Sequence, residues 1–144
     1  MGARITYSIP VDVAIEDTVQ KIKKQVEARS YQVANELRNS AFHVMRGKGG
    51  GRRYKVPGTK SYYSASAPGE PPAVRSGAYR NSLKPTAFKS GDLYTSRLES
   101  SMFYADWLEN GTPGGQMAPR PHHERILKHT EPEAVRIYSA PYDY

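Results

Sequence analysis

The chain has 144 residues, 38% of them hydrophobic, and a formal net charge of +7 with no cysteine. That length suits one ordinary domain and is short for two, while the lack of cysteine excludes disulfides, thiolate metal sites and thiol nucleophiles. No run of about 18 apolar residues occurs, so no membrane-spanning helix is expected.

The charge is concentrated. Residues 1–45 carry six Lys/Arg and five Asp/Glu, residues 61–144 carry nine of each, and residues 46–60 carry six Lys/Arg and no acid. The excess therefore sits in Arg46, Lys48, Arg52, Arg53, Lys55 and Lys60. Eleven tyrosines add ring area to a modest apolar content, which points to a small core completed by oligomerisation. The first residues, Met-Gly-Ala-Arg-Ile-Thr-Tyr-Ser, lack the apolar centre of a signal peptide, so the expectation is a protein made in the cytoplasm with no membrane partner.

A single domain over 1–144 is expected, in three parts. The first is a long helix over 13–46. Ile15, Val19, Ile22, Val26, Val33, Leu37, Ala41 and Val44 recur at steps of three or four, with Ser30 filling the gap after Val26. Asp12 suits the N-cap, and no Gly or Pro interrupts residues 12–46. About 30 residues make a rod of about 45 Å, longer than one small domain covers, so one end is expected to pack on a neighbouring subunit.

The second part is a basic, Pro-rich arm over 47–75. Five glycines among residues 46–60 argue against helix or strand there. Residues 61–67 suit an extended segment, and Pro68-Gly69-Glu70-Pro71-Pro72 suits a turn or polyproline stretch. The third part, 76–140, opens with a helical turn capped by Ser76. It continues with a hairpin of strands 83–89 and 93–101 about Ser90-Gly91-Asp92. Residues 103–109 read as a short helix stopped by Asn110-Gly111. Another helix starts near Pro121 and runs to His129, and Thr130-Glu131-Pro132-Glu133 reads as a capping box restarting a helix through Ser139. The fold class is α+β: a long N-terminal helix on a small antiparallel sheet, with short C-terminal helices and a long extended arm.

Few residues suggest chemistry. His122, His123, Glu124 and His129 contain no set of three ligands at helical zinc spacing, so structural or surface histidines are expected and no metal. Asp106 and Glu109, three apart, suit a solvated face or a partner's basic group better than paired-carboxylate catalysis. No Gly-x-Ser-x-Gly elbow is present, and Gly47-Lys48-Gly49-Gly50-Gly51 lacks the ending of a phosphate loop. Neither a catalytic set nor a cofactor is expected. The six cations of residues 46–60 suit phosphate contact without sequence preference, or contact with an acidic protein surface, and both readings stand. A small basic nucleic-acid-binding protein is the corresponding alternative function.

Two stretches carry more. One is Ser66-Ala67-Pro68-Gly69-Glu70-Pro71-Pro72-Ala73-Val74-Arg75-Ser76-Gly77-Ala78-Tyr79-Arg80-Asn81-Ser82. The other is Tyr104-Ala105-Asp106-Trp107-Leu108-Glu109-Asn110-Gly111-Thr112, followed by Met117-Ala118-Pro119-Arg120-Pro121. In this order after a long helix they resemble the neck or tail-completion family of long-tailed bacteriophages, also called head–tail connector or tail-component proteins. The family pattern differs at Tyr79, usually aliphatic, and at His122, commonly an aromatic. The resemblance implies a structural virion protein at the head–tail junction and no enzyme. It implies a homo-oligomeric ring, by analogy a hexamer or dodecamer, around the DNA passage. Its partners would be head-closure or adaptor proteins on one side and the tail terminator or tail tube on the other. A tail terminator or head-closure protein is the nearest alternative. On this reading Tyr104, Trp107, Leu108, Glu109, Gly111, Thr112, Arg120 and Pro121 form a packing corner that orients an assembly surface. Pro68, Gly69, Glu70, Pro71 and Pro72 form an arm that orders against a neighbour, and Arg46, Lys48, Arg52, Arg53, Lys55 and Lys60 meet genomic DNA or a protein partner.

Overall fold

The apolar stripe folds as one helix, α1 (Val11–Val44), which at 1.5 Å per residue is about 51 Å long. A computed structural model of the chain describes residues 4, 6, 11–46, 49–74 and 77–144. Burial begins only at Ser30 and continues through Val33, Ala34, Leu37, Ser40, Ala41 and Met45. Ile22 and Val26 are half-buried, and Val13, Ile15 and Val19 are exposed. The stripe thus serves the core over its C-terminal half. Small residues there (Ser30, Ala34, Ser40, Ala41) let other elements approach the helix closely.

Those elements are a hairpin and the last helix. Strands β3 (Lys84–Ser90) and β4 (Leu93–Glu99) pair antiparallel from Lys84↔Glu99 to Ser90↔Leu93, and both pack on α1. The turn is Gly91-Asp92, with Gly91 at φ 61°, a left-handed conformation that glycine takes without strain. Pro85 sits in a two-stranded sheet, where each strand has a free edge. Leu98 reaches the core, while Arg97 lies over the exposed Phe88 ring on the outer face. Ser96 donates to the Ser30 carbonyl at 2.6 Å, and Lys23 pairs with Asp92 at the hairpin tip.

The sequence suggested two C-terminal helical segments, yet residues His123–Ser139 form one helix, α4, with Pro132 inside it. Thr130 is buried against α1 and does not cap a restart: its hydroxyl lies 2.7 Å from Ser40 Oγ and 2.8 Å from the Ile126 carbonyl. An interior proline costs roughly 3 kcal/mol. Packing of Ile126, Thr130 and Ile137 on α1 offsets it. Arg29 of α1 adds a grip on the far end of α4. Its guanidinium donates to the carbonyls of Ile137, Tyr138, Ala140 and Pro141 at 2.6 to 3.3 Å and stacks on the Tyr142 ring at 3.7 Å. The Ile137 and Tyr138 carbonyls are among those a helix C-terminus leaves without helical partners.

The core proper is Leu37, Ala41, Met45, Leu83 and Ile126, with Val44, Val74, Tyr79 and Leu98 around it. Two short helices complete the body, α2 (Ala78–Ser82) and α3 (Ala105–Asn110). α2 starts at Gly77 (φ 80°) without a side-chain cap; the cap expected at Ser76 lies outside the described residues. The architecture is the expected α+β arrangement, with a second correction beside the single α4. Residues 47–75 contain a second antiparallel hairpin, β1 (Arg53–Lys55) with β2 (Tyr62–Ser64), where a glycine-rich loop was expected. The glycines flank the pairing instead of entering it: Gly49 and Gly51 donate to the Ser64 and Ala65 carbonyls, and stacked Tyr54 and Tyr63 join the strands.

Leu37→Ala should cost about 2 to 5 kcal/mol by leaving a cavity in this core. Val13→Ala, on the uncovered end of α1, should stay within about 0.5 kcal/mol. Urea unfolding of the two variants checks the contrast.

Candidate functional site

α3 carries Tyr104, Trp107, Leu108 and Glu109 into the corner expected from the sequence, although the four point to different surroundings. Leu108 and Tyr104 are half-buried, and Tyr104 packs against Tyr79 with ring centroids 6.2 Å apart. Trp107 is 37% exposed and meets the 80% exposed Phe103 edge-on. The expected packing corner is therefore split at Tyr104, Trp107 and Leu108. Two residues close the corner, and Trp107 joins Phe103 in an outward aromatic pair.

Gly111 ends α3 with φ 82° and ψ 170°, a region open in practice to glycine alone. A Cβ there would also come within 2.8 Å of the Met117 carbonyl. Thr112 closes the loop that follows: its N–H donates to the Met117 carbonyl at 3.1 Å and its hydroxyl accepts from the Met117 N–H at 2.9 Å. The Arg120 N–H then donates to the Leu108 carbonyl at 2.7 Å, turning the chain back along α3 toward Pro121 and α4.

Glu109 is the point where the sequence reading needs correcting. Its side chain is 18% exposed, and the carboxylate is engaged within its own chain. One oxygen accepts from the backbone N–H groups of His122 and His123 at 2.8 and 3.2 Å. These are orphan donors of the first turn of α4, whose positive dipole end favours a carboxylate. No side chain of α4 itself caps this end, so α3 supplies the cap. The spacing of 13 residues hides such a cap from local patterns.

His122 is buried. Its Nδ1 lies 2.8 Å from the Arg120 carbonyl and 3.0 Å from Glu109 Oε2, two acceptors, so Nδ1 carries a proton. In the neutral ring Nε2 then accepts from the Tyr79 hydroxyl at 2.7 Å. A hydroxyl–imidazole–carboxylate chain runs from Tyr79 through His122 to Glu109. Burial pushes the His122 imidazole below its ordinary value, against the smaller upward pulls of the Arg120 carbonyl and Glu109. Burial, with Glu109 and Tyr104 nearby, pushes the Tyr79 hydroxyl up to about 12. Both groups are thus held neutral in the chain. The sequence marked Tyr79 only as a departure from the family pattern, and it placed His122 among structural or surface residues without its partners.

Glu109, His122 and His123 offer ligand atoms within 4.8 Å of one another, a grouping with a third ligand that sequence spacing did not reveal. The donor set fits a cation poorly. His122 Nδ1 is protonated toward Arg120, and the Glu109 oxygen is the acceptor for two backbone N–H groups. A metal would displace both. The cleft beside the corner, lined by Met45, Pro72, Tyr79, Tyr104 and Leu108, has about 240 Å³, below the roughly 300 to 1,000 Å³ of pockets that enclose small-molecule ligands.

Pro68, Gly69, Glu70, Pro71 and Pro72 lie against the chain's own corner. Arg120 Nε donates to the Ser66 hydroxyl at 2.9 Å and carbonyl at 3.2 Å, and the Gly69 N–H donates to the Pro119 carbonyl at 3.1 Å. Glu70 accepts from the N–H groups of Ala67 and Gly50, both at 2.8 Å, and these bonds hold its carboxyl below the ordinary value. Pro72 is buried. An arm expected to order only against a neighbour is here an intramolecular clasp, because hydrogen-bond partners for its backbone lie within the same chain.

Of the basic residues, Arg46, Arg52, Arg53, Lys55 and Lys60 are exposed, and Lys48 lies outside the described residues. Arg52 to Lys60 surround the β1–β2 hairpin, apart from the corner. No family model, curated protein or solved structure matches this chain.

Glu109→Ala should cost about 1 to 3 kcal/mol by leaving two N–H groups of α4 without their charged acceptor. Glu109→Gln, which keeps an oxygen there, should cost less; urea unfolding measures both. The depressed His122 value also fixes a pH dependence. The unfolded chain protonates His122 near the ordinary 6.5, and the folded chain only at lower pH. Stability is then fully present above 6.5 and falls as pH drops below it. His43, lowered chiefly by Arg46, contributes with the same sign. Thermal melts between about pH 8 and 5 should show that decline, and His122→Phe should make it shallower without abolishing it.

Proposed function

We propose that this chain is a structural subunit of a long-tailed bacteriophage neck, a tail-completion ring that joins the head-closure ring to the tail around the DNA passage. The observation that carries the reading is the meeting of the two motif stretches. Residues 66–72 and 117–121 are far apart in sequence, yet they are clasped through Arg120, Ser66, Gly69 and Pro119. Glu109 of the same motif caps the helix that follows. The residues behind the resemblance are those that build the corner, as expected where a pattern encodes a shape and not a reaction.

Assembly needs surface that the monomer leaves uncovered. Two such surfaces are present: Val13, Ile15 and Val19 on the free end of α1, and the Phe103–Trp107 pair. A ring neighbour covering either one would bury apolar area that a lone chain exposes to water. The subunit acts through these contacts and not by catalysis, and its place is the virion. Among the described residues, no helix is long and apolar enough to cross a membrane.

Replacing Val13, Ile15 and Val19 together by Ser should leave the melting temperature of the monomer nearly unchanged, since these side chains are exposed, and should abolish ring formation by sedimentation velocity. Trp107→Ala should weaken assembly more than folding. Electron microscopy of particles carrying a tagged subunit should place it at the neck. Particles that are complete without it, or that carry it elsewhere, would overturn the assignment.

A further inference from the structure

We propose that the β1–β2 hairpin is a binding site for duplex DNA, gripping phosphates without regard to sequence. The inference rests on the hairpin alone and holds whether or not the chain forms a ring. Three observations carry it.

The first is uncompensated charge. Arg52, Arg53, Lys55 and Lys60 are exposed, and residues 49–64 contain no acid. Among the described residues none of the four forms an ion pair. The carboxylate nearest in sequence on the clasp side, Glu70, is committed to the Gly50 and Ala67 N–H groups at the base. Four cations on one small projection repel one another, so the site favours a polyanion.

The second is rigid presentation. The register Arg53↔Ser64, Tyr54↔Tyr63, Lys55↔Tyr62 puts Tyr54 beside Tyr63 on one face, and Arg53, Lys55 and Tyr62 on the other. The Tyr54 and Tyr63 rings stack at 5.7 Å. The Arg52 guanidinium lies 5.3 Å from the Tyr54 centroid, and that of Arg53 lies 4.6 Å from the Tyr62 centroid. Stacking of this kind orients the guanidinium groups and limits the rotamer entropy lost on binding.

The third observation selects the form of nucleic acid. Single strands bind by laying bases on free aromatic faces. Here each tyrosine ring already has a face taken by another ring or by an arginine. A two-stranded ribbon is also an element that the major groove of a duplex admits. No Asn or Gln stands in either strand to read adenine, and the two arginines that could read guanine lie against tyrosine rings, Arg52 on Tyr54 and Arg53 on Tyr62. The expected contact is therefore with backbone phosphates, and it is electrostatic.

The test is fluorescence anisotropy of the full chain with labelled short DNA duplexes of two unrelated sequences, the matching single strand, and poly-glutamate as competitor. Four phosphate contacts give a slope of log affinity against log salt of about −3.6, so binding should fall about a hundredfold between about 50 and 200 mM salt. Both duplex sequences should bind alike. Arg53→Ala with Lys55→Ala should halve the slope, leaving about a tenfold fall over the same range. Lys55→Ala with Lys60→Ala should do the same. The cations over Tyr54 and Tyr62 are Arg52 and Arg53, so this second pair removes charge while leaving those contacts, and an unchanged melting temperature confirms that the fold is kept. Sedimentation of the same samples reports assembly separately. Slopes that do not change in either double variant would overturn the proposal. A single strand bound at least tenfold more tightly than the duplex would overturn it in favour of base stacking. Displacement by poly-glutamate as readily as by unlabelled duplex would overturn it in favour of an acidic protein surface.

Discussion

Glu109 and Arg29 hold α4 from opposite ends with charges opposite to those of its dipole. The carboxylate receives N–H groups at the start of the helix, and the guanidinium spans four carbonyls at its end. Neither group belongs to α4. One comes from the short helix of the corner and the other from α1, so the last helix is defined by elements laid down far from it in the chain. Remove these grips and a 17-residue helix with a proline in its middle would rely on a few apolar contacts. With them in place, α4 closes the core over Leu37, Ala41 and Leu83 and fixes where the corner stands relative to α1.

The long helix, the β3–β4 hairpin and the Gly111 stop were legible in the sequence because each has a local cause: a 3.6-residue period, a Gly-containing turn between alternating residues, a glycine after a helical turn. What escaped is what only the folded chain brings together. Thr130-Glu131-Pro132-Glu133 has the pattern of a capping box, but Thr130 lies one turn along from Ile126 on the face that meets Ser40, and tertiary packing overrides the local preference. Glu109 looked solvated because the N–H groups that donate to it are 13 and 14 residues away. The β1–β2 pairing was hidden by glycines counted as if they lay within the strands. Tyr79 escaped because nothing local marks a tyrosine as the partner of a histidine 43 positions later.

A contrast runs through the molecule. Around the corner nearly every polar group is satisfied within the chain, through Ser66, Glu70, Tyr79, Glu109, Thr112 and Arg120. At the free end of α1, the Phe103–Trp107 pair and the basic hairpin, the groups are left open, apolar in the first two and cationic in the third. A protein that works by joining others needs this division. The interior fixes geometry, and the open groups, carried on that geometry, meet their partners at set distances from one another.

The partial burial of α1 has a mechanical meaning. From Ser30 onward the helix is clamped by the β3–β4 hairpin and α4, while residues 12–20 are exposed at nearly every described position. A rod held along most of its length and free at one end behaves as a cantilever. The free portion, about ten residues, is about 15 Å long, so a sideways load at its tip becomes a torque about the clamp, resisted by the Lys23–Asp92 pair, the Ser96–Ser30 bond and the Ser40–Thr130 contact. The seam between α1 and α4 is therefore both the core of the domain and the bearing through which force on the free end would reach the rest of the subunit.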